Sequence, residues 1–290
     1  MVHIRPFVNN SRRLLIIFYD IRNEDDSKEE EQPQDQADSG WWEIHPLTYV
    51  EVISPSNPLI MYARLLGIIG SQIVLAVASF AQDSAPFHAL ANEQIAWELK
   101  RTHESHPALR RRIEAVSERF LGTPYRLGPL GEGADGEFDR APRINFQAVD
   151  CTTLVEQVIA LSLQGDIKEA EKTLQKIRYK KGKISYATRN HFPEADWLPQ
   201  NIEAGYLRDI TREIAGDETR QIAKTISKRR WYANKSTASF EGAFAEREKL
   251  KRLPRLQALG QEFPDRRVIL PYLPIERLPQ ALPRIPSGTI

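Results

Sequence analysis

The sequence predicts a chain that mixes amphipathic helices with a few short strands, and three observations carry that reading. Asp150 precedes Leu154, Val155, Val158, Ile159 and Leu161 at helical spacing, so a capped helix begins there. Leu109, Ile113, Val116 and Phe120 recur at intervals of four, three and four, the stripe of a helix lying on a core. Residues 183–188 alternate in polarity, and 267–270 form a short apolar stretch in a proline-rich tail, so both are strand candidates.

At 290 residues the chain has room for one or two domains. With 41% hydrophobic and 27% charged residues it has the composition of a soluble globular protein. A net charge of +1 gives no global reason to expect nucleic acid as a partner. The one cysteine, Cys151, excludes an internal disulfide and a thiolate zinc cluster. Of the six histidines only His191 follows it.

Residues 1–60 read as a disordered or spurious extension. Residues 14–19 are a short apolar run of strand type, but 23–40 are acidic, with almost no apolar residue. Such a stretch cannot bury enough surface to offset its ordering entropy. Residues 61–81 have the three-part form of a secretory signal: Met61 with Arg64, an uncharged apolar run over 65–78, then Ser79 and Ala81 before a cleavage point. A membrane anchor or a buried core helix is the other reading, although the run is shorter than the roughly 20 apolar residues of a full span. The expectation is an exported protein of the periplasm or cell envelope that starts at Met61. It has no stable membrane insertion after cleavage.

From residue 82 to 290 the pattern is that of one folded domain. Ile95, Leu99 and Trp97 mark a helix from Asn92, and His106-Pro107 is expected to open the next. Arg110, Arg111 and Arg112 lie largely off the apolar stripe and read as a solvated face. His103 and His106 lack a third metal ligand. Residues 121–136 are glycine-rich without the spacing of a phosphate-binding loop, so they read as a loop whose backbone approaches something closely. A helix is expected over 166–178, with Ile167, Ala170, Leu174 and Ile177 inward. Residues 205–215 fit strand or short helix, with Asp209 as a cap. Residues 237–259 read as a charged helix kinked at Pro254.

Cys151 falls on the first turn of the helix that Asp150 caps. The positive end of the helix dipole favours an anion there, which suits a thiolate nucleophile. A small, buried, apolar cysteine is the equally simple alternative.

Gly122-Thr123-Pro124-Tyr125 followed by Asp150-Cys151-Thr152-Thr153-Leu154-Val155-Glu156 resembles the NlpC-type cell-wall cysteine peptidase superfamily. Ile177-Arg178-Tyr179, Tyr186, Arg189-Asn190-His191-Phe192 and Asp196-Trp197-Leu198-Pro199 are similar to its N-acetylmuramoyl-L-alanine amidase-like branch. The resemblance runs from about residue 92 to the end. It implies a papain-like α+β fold, with the nucleophile helix packed on a small antiparallel sheet. It also implies hydrolysis of the amide between muramic acid and the stem peptide, with peptidoglycan fragments as partners and no cofactor or metal. Cys151 would be the nucleophile. Tyr125 would stand beside it, orienting it or touching substrate, or simply pack in the loop. Arg189 and Asn190 would bind substrate.

In that superfamily the base is a histidine on a strand just after a turn like Pro286-Ser287-Gly288-Thr289-Ile290, where this sequence stops. The resemblance therefore implies a chain truncated before the catalytic histidine strand, with a sheet incomplete at the C-terminus. His191 stays as a candidate base, a cleft residue or a residue that fixes its loop. A non-catalytic cell-wall-binding remnant is the alternative function. The cluster Lys228-Arg229-Arg230-Trp231-Tyr232 is the one feature suited to nucleic acid, and a charged helix end explains it as well.

Overall fold

The structure, a computed structural model, describes residues 85–290 and the backbone of three short strands near the N-terminus. These strands are Phe7–Val8 (β1), Leu14–Ile16 (β2) and Tyr19–Ile21 (β3). The acidic run over 23–40 and the signal-like stretch over 61–81 lie outside the described residues.

Four helices build the main core: Asn92–Ser105 (α1), Leu109–Glu118 (α2), Cys151–Leu163 (α3) and Ile167–Arg178 (α4). Their apolar stripes meet in one cluster with Ile95, Leu99, Ile113, Val116, Ile159, Leu161, Leu174 and Ile177 all buried. Fully burying one such side chain contributes about 1.5–3 kcal/mol, so α3, the most buried of the four, is firmly anchored. Helix α2 begins after Pro107, with Ala108 as its N-cap. The Arg112 guanidinium donates to the carbonyls of His106 and Pro107, which satisfies those groups outside the helix. The same side chain donates through Nε to Ser162 O at 2.8 Å, so Arg112 ties α2 to the end of α3. It is not part of a simple solvated face.

Beyond α4 come a π-helical turn at Pro193–Trp197, helix Leu198–Glu203 (α5), strand Leu207–Asp209 (β4) and helix Thr211–Ala215 (α6). The ambiguous stretch over 205–215 is thus both strand and helix. Asp209 Oδ1 accepts from Thr211 N at 2.9 Å between them. Strand Arg220–Ile226 (β5), helix Lys228–Ala233 (α7), helix Glu246–Ala258 (α8), strand Arg266–Pro274 (β6) and helix Leu278–Ala281 (α9) complete the chain.

Strands β5 and β6 pair antiparallel from Arg220 opposite Tyr272 to Ile226 opposite Arg266. The other edge of β6 takes β2, and β2 takes β1, giving the order β1-β2-β6-β5. Strand β3 pairs antiparallel with β4. Helices with a small antiparallel sheet make this an α+β fold.

Two expectations change, and one strand is new. Residues 183–188 form no strand: they end in a 3-10 turn, Tyr186–Thr188, closed by Thr188 N donating to Ser185 O. The alternation there comes from Tyr186 alone turning inward, onto Phe138 and Tyr232. The charged helix is confined to Glu246–Ala258, because Gly242 at φ +92° lies against the Arg140 backbone and breaks the path before it. Strand β5 went unforeseen because nearly all of it is exposed, and a strand with no buried face has no apolar alternation.

Candidate active site

The site is built around the first turn of α3. Asp150 caps it: Oδ1 accepts from Thr153 N at 2.8 Å, and Thr153 Oγ1 accepts from Asp150 N at 2.9 Å. The second carboxylate oxygen, Oδ2, accepts from Gly128 N at 3.0 Å. One side chain therefore starts the helix and pins the glycine-rich loop to it. The loop is laid along the chain just before the cysteine, with Val149 N donating to Pro124 O and Arg126 N donating to Val149 O, both at 3.0 Å. This short parallel bridge pairs Tyr125 with Val149, two residues from Cys151. Tyr125 is 57% exposed and Leu127 is 77% exposed.

Cys151 is exposed at the head of a helix whose later turns are buried. Thr152 Oγ1 lies 3.9 Å from its Sγ. Among the described residues no imidazole nitrogen stands within hydrogen-bonding reach of that sulfur. Nor do three His, Cys, Asp or Glu side chains among them converge as metal ligands.

Behind the cysteine the helix carries a buried carboxylate, Glu156. Its Oε2 is paired with Arg178 and its Oε1 accepts from Trp197 Nε1 at 2.9 Å. Burial pushes the Glu156 carboxyl up, and the Arg178 charge opposes that shift. Arg178 also donates to Leu130 O at 3.1 Å, and Tyr179 Oη donates to Gly131 O at 3.1 Å. The end of α4 thus grips both the cysteine-bearing helix and the glycine-rich loop.

Arg189 forks between two acids of that loop. It donates to Asp139 Oδ2 at 2.7 Å and pairs with Glu132. Both carboxylates are buried. Burial and the neighbouring Asp139 charge outweigh the Arg189 cation at Glu132, whose carboxyl is pushed up to about 7. Gly131 makes this cluster possible, because a Cβ there would sit 2.1 Å from Asp139 Oδ1. Asn190 is buried, with its Nδ2 donating to Ile177 O at 3.0 Å.

His191 Nε2 donates to Tyr186 O at 2.8 Å, which places the proton on that nitrogen. The ring packs 4.5 Å from Trp231 and 4.7 Å from Tyr186. Burial, with the nearby Arg189 and Lys235 charges, holds His191 well below the ordinary histidine range, so the imidazole is neutral.

The structure therefore holds Tyr125 against Val149, two residues before Cys151, and leaves both the tyrosine and the cysteine exposed. It places Arg189, Asn190 and His191 in hydrogen bonds to neighbouring protein groups. Sequence reasoning did not assign a role to Glu132, Asp139, Arg178 or the Glu156–Trp197 contact. One signal for the first was present: an acid between two glycines, Gly131-Glu132-Gly133, in a loop already expected to make close backbone approaches.

The profile of the AmiA-like family, described as N-acetylmuramoyl-L-alanine amidase-like, matches residues 115–290. The chain belongs to this amidase-like family. Among solved structures, a protein from Legionella pneumophila Philadelphia 1 is 31% identical to it. That match covers 67% of this chain and 70% of the other, with a TM-score of 0.62. An N-acetylmuramoyl-L-alanine amidase from Bacteroides uniformis is 28% identical over 52% of this chain and 61% of its own, with a TM-score of 0.37. No curated protein matches the chain. Within the amidase-like family match lie Cys151, Tyr125 and the whole buried frame from Glu132 to Trp197.

Proposed function

We propose that this protein hydrolyses the amide joining N-acetylmuramic acid to the first L-alanine of a peptidoglycan stem peptide, on a papain-like scaffold of the NlpC type. Cys151 is the nucleophile. The observation that carries the reading is an exposed thiol on the first turn of a capped, anchored helix, in a chain of an amidase-like family. The thiolate attacks the lactyl carbonyl of the muramic acid, and a C–S bond forms as the C–N bond breaks. The peptide leaves as its nitrogen takes a proton from water, and the hydroxide so formed then cleaves the thioester and regenerates the thiolate. The first N–H groups of a helix have no intrahelical partner, so the N–H of Cys151 is suited to hold the oxyanion. Tyr125, exposed on the loop bridged to Val149, contacts substrate.

In this reading Arg189, Asn190 and His191 hold the frame, and do not touch substrate. Among the described residues no imidazole stands at Cys151 Sγ, so water serves as the proton donor and acceptor, and turnover is slower by the roughly 10²–10⁴-fold that a positioned acid–base group typically supplies. Export by the signal-like stretch at 61–81 delivers the protein to its polymer. N-terminal sequencing of the mature native product tests this, and retention of residues 1–60 refutes it.

The decisive experiment incubates the protein and Cys151→Ala with an N-acetylmuramoyl peptide and measures the released peptide by mass spectrometry. Cys151→Ala should abolish release while unfolding within about 1 kcal/mol of the parent, as for a small exposed change. Retained hydrolysis in the variant overturns the assignment. His191→Ala should lower thermal stability and leave turnover per folded molecule unchanged; a well-folded, inactive His191→Ala makes His191 the base. One observation favours a second reading, a cell-wall-binding protein without catalysis: among the described residues no imidazole reaches Sγ. Saturable muropeptide binding without any release by the full chain is the result that selects it.

A further inference from the structure

A concavity of about 230 Å³ opens between the π-helical turn at Pro193–Trp197, the start of α7 and the start of β6. Cys151 is not among its lining residues. At its base Lys228 Nζ lies 2.6 Å from Asp196 Oδ1, and both side chains are nearly buried, at 10% and 3% exposure. Ile226, Ala195 and Phe263 supply an apolar wall. Two ammonium groups face the Phe263 ring, Lys228 at 4.7 Å and Lys180 at 5.7 Å from its centroid. Arg266 closes the rim, donating to Ala195 O at 2.6 Å. Among the described residues neither Lys180 nor Arg266 has a carboxylate partner.

The lining holds three cations, Lys180, Lys228 and Arg266, against two carboxylates, Asp196 and Asp265. One positive charge is in excess beside an apolar wall. The cations also feel one another. Burial lowers the Lys228 ammonium, its bond to Asp196 opposes the shift, and the charges of Lys180 and Arg266 lower it further. An anion entering the cleft relieves that repulsion without having to break the Lys228–Asp196 pair, because an ammonium has three donors and one carboxylate oxygen uses only one.

The geometry points to a binding site for a small monocarboxylate with a short aliphatic body, the chemistry of a peptide C-terminus. The carboxylate sits between Lys180 and Lys228, with its aliphatic part on Ile226 and Phe263. A single negative charge balances the excess. A dianionic phosphate exceeds it, and meets the Asp265 carboxylate at the rim. This inference does not rest on the hydrolase reading.

The test titrates the full chain with isobutyrate and, separately, with inorganic phosphate, by calorimetry and by amide NMR shifts. The same titrations use Lys180→Glu and, as a charge-matched control far along the chain on exposed α8, Lys251→Glu. Isobutyrate should bind saturably at one site and shift the amides of Lys228 and Phe263. Lys180→Glu should weaken it about tenfold or more, a loss of about 1.4 kcal/mol, while Lys251→Glu changes it less than about twofold. Lys180 is exposed at the cleft rim, so its variant should unfold at the parent temperature. Three results overturn the inference: no saturable binding by the parent chain, equal weakening by the two variants, or phosphate binding more tightly than isobutyrate.

Discussion

Replacing Arg189 with Gln separates the substrate contact that the resemblance implies from the support of the frame that the ion pairs indicate. The guanidinium holds Glu132 and Asp139, whose side chains are 4% and 2% exposed. Arg189→Gln leaves two carboxylates in a space that water does not reach. Breaking one buried pair costs about 3–5 kcal/mol, against about 0–1 kcal/mol for an exposed pair, so the lower bound here is about 3 kcal/mol. The measurement is guanidinium unfolding at pH 7 and again at lower pH. In the variant Glu132 loses the cation that opposes the effect of burial, so its carboxyl is raised further. A folded-state pKa above the unfolded one means that the folded state binds more protons, and stability then falls as pH rises. Glu132 already behaves this way in the parent, with its carboxyl pushed from 4.5 up to about 7, so its contribution is full below about 4.5 and fades as pH rises through 7. The variant deficit should therefore be largest at pH 7 and above, and should shrink as the pH is lowered toward 5. Adding Glu132→Gln should restore part of the loss, because it removes one orphaned charge. A deficit under about 1 kcal/mol, together with a raised KM for muropeptide, refutes the supporting role and makes Arg189 a substrate contact.

Three further substitutions probe the same frame. Asp150→Ala removes the acceptor for Thr153 N and Gly128 N. It should cost about 1–2 kcal/mol and lower the proposed turnover per folded molecule, and turnover at the parent value would separate the loop from the site. Trp197→Phe keeps the ring but leaves Glu156 Oε1 without its indole donor. A denaturant midpoint shift equivalent to about 1–3 kcal/mol is expected. Gly136→Ala places a Cβ 1.9 Å from Asp139 O. Because a backbone atom must move, the loss should be about 1–3 kcal/mol or more, and a neutral result would mean that the loop around Asp139 is looser than described.

Local pattern determined the four helices of the main core. The stripes of α1, α2, α3 and α4 are visible in the sequence because each buries one face on a shared core, and burial writes its 3.6-residue period into the residue types. Asp150 as the cap of α3 and Cys151 on its first turn were legible for the same reason: capping uses a side chain and N–H groups within three residues. Contacts between residues distant in the chain leave no such period. The fork of Arg189 joins it to Asp139 and Glu132, 50 and 57 residues away, and Trp197 reaches Glu156 across 41 residues. Strand β5, exposed along most of its length, had no apolar alternation to read. The sequence by itself therefore decided which helix bears the thiol and where on that helix it stands. Only the tertiary structure decided that the thiol is exposed and that Arg189, Asn190 and His191 are engaged with the protein itself, because burial and pairing depend on what other segments bring alongside.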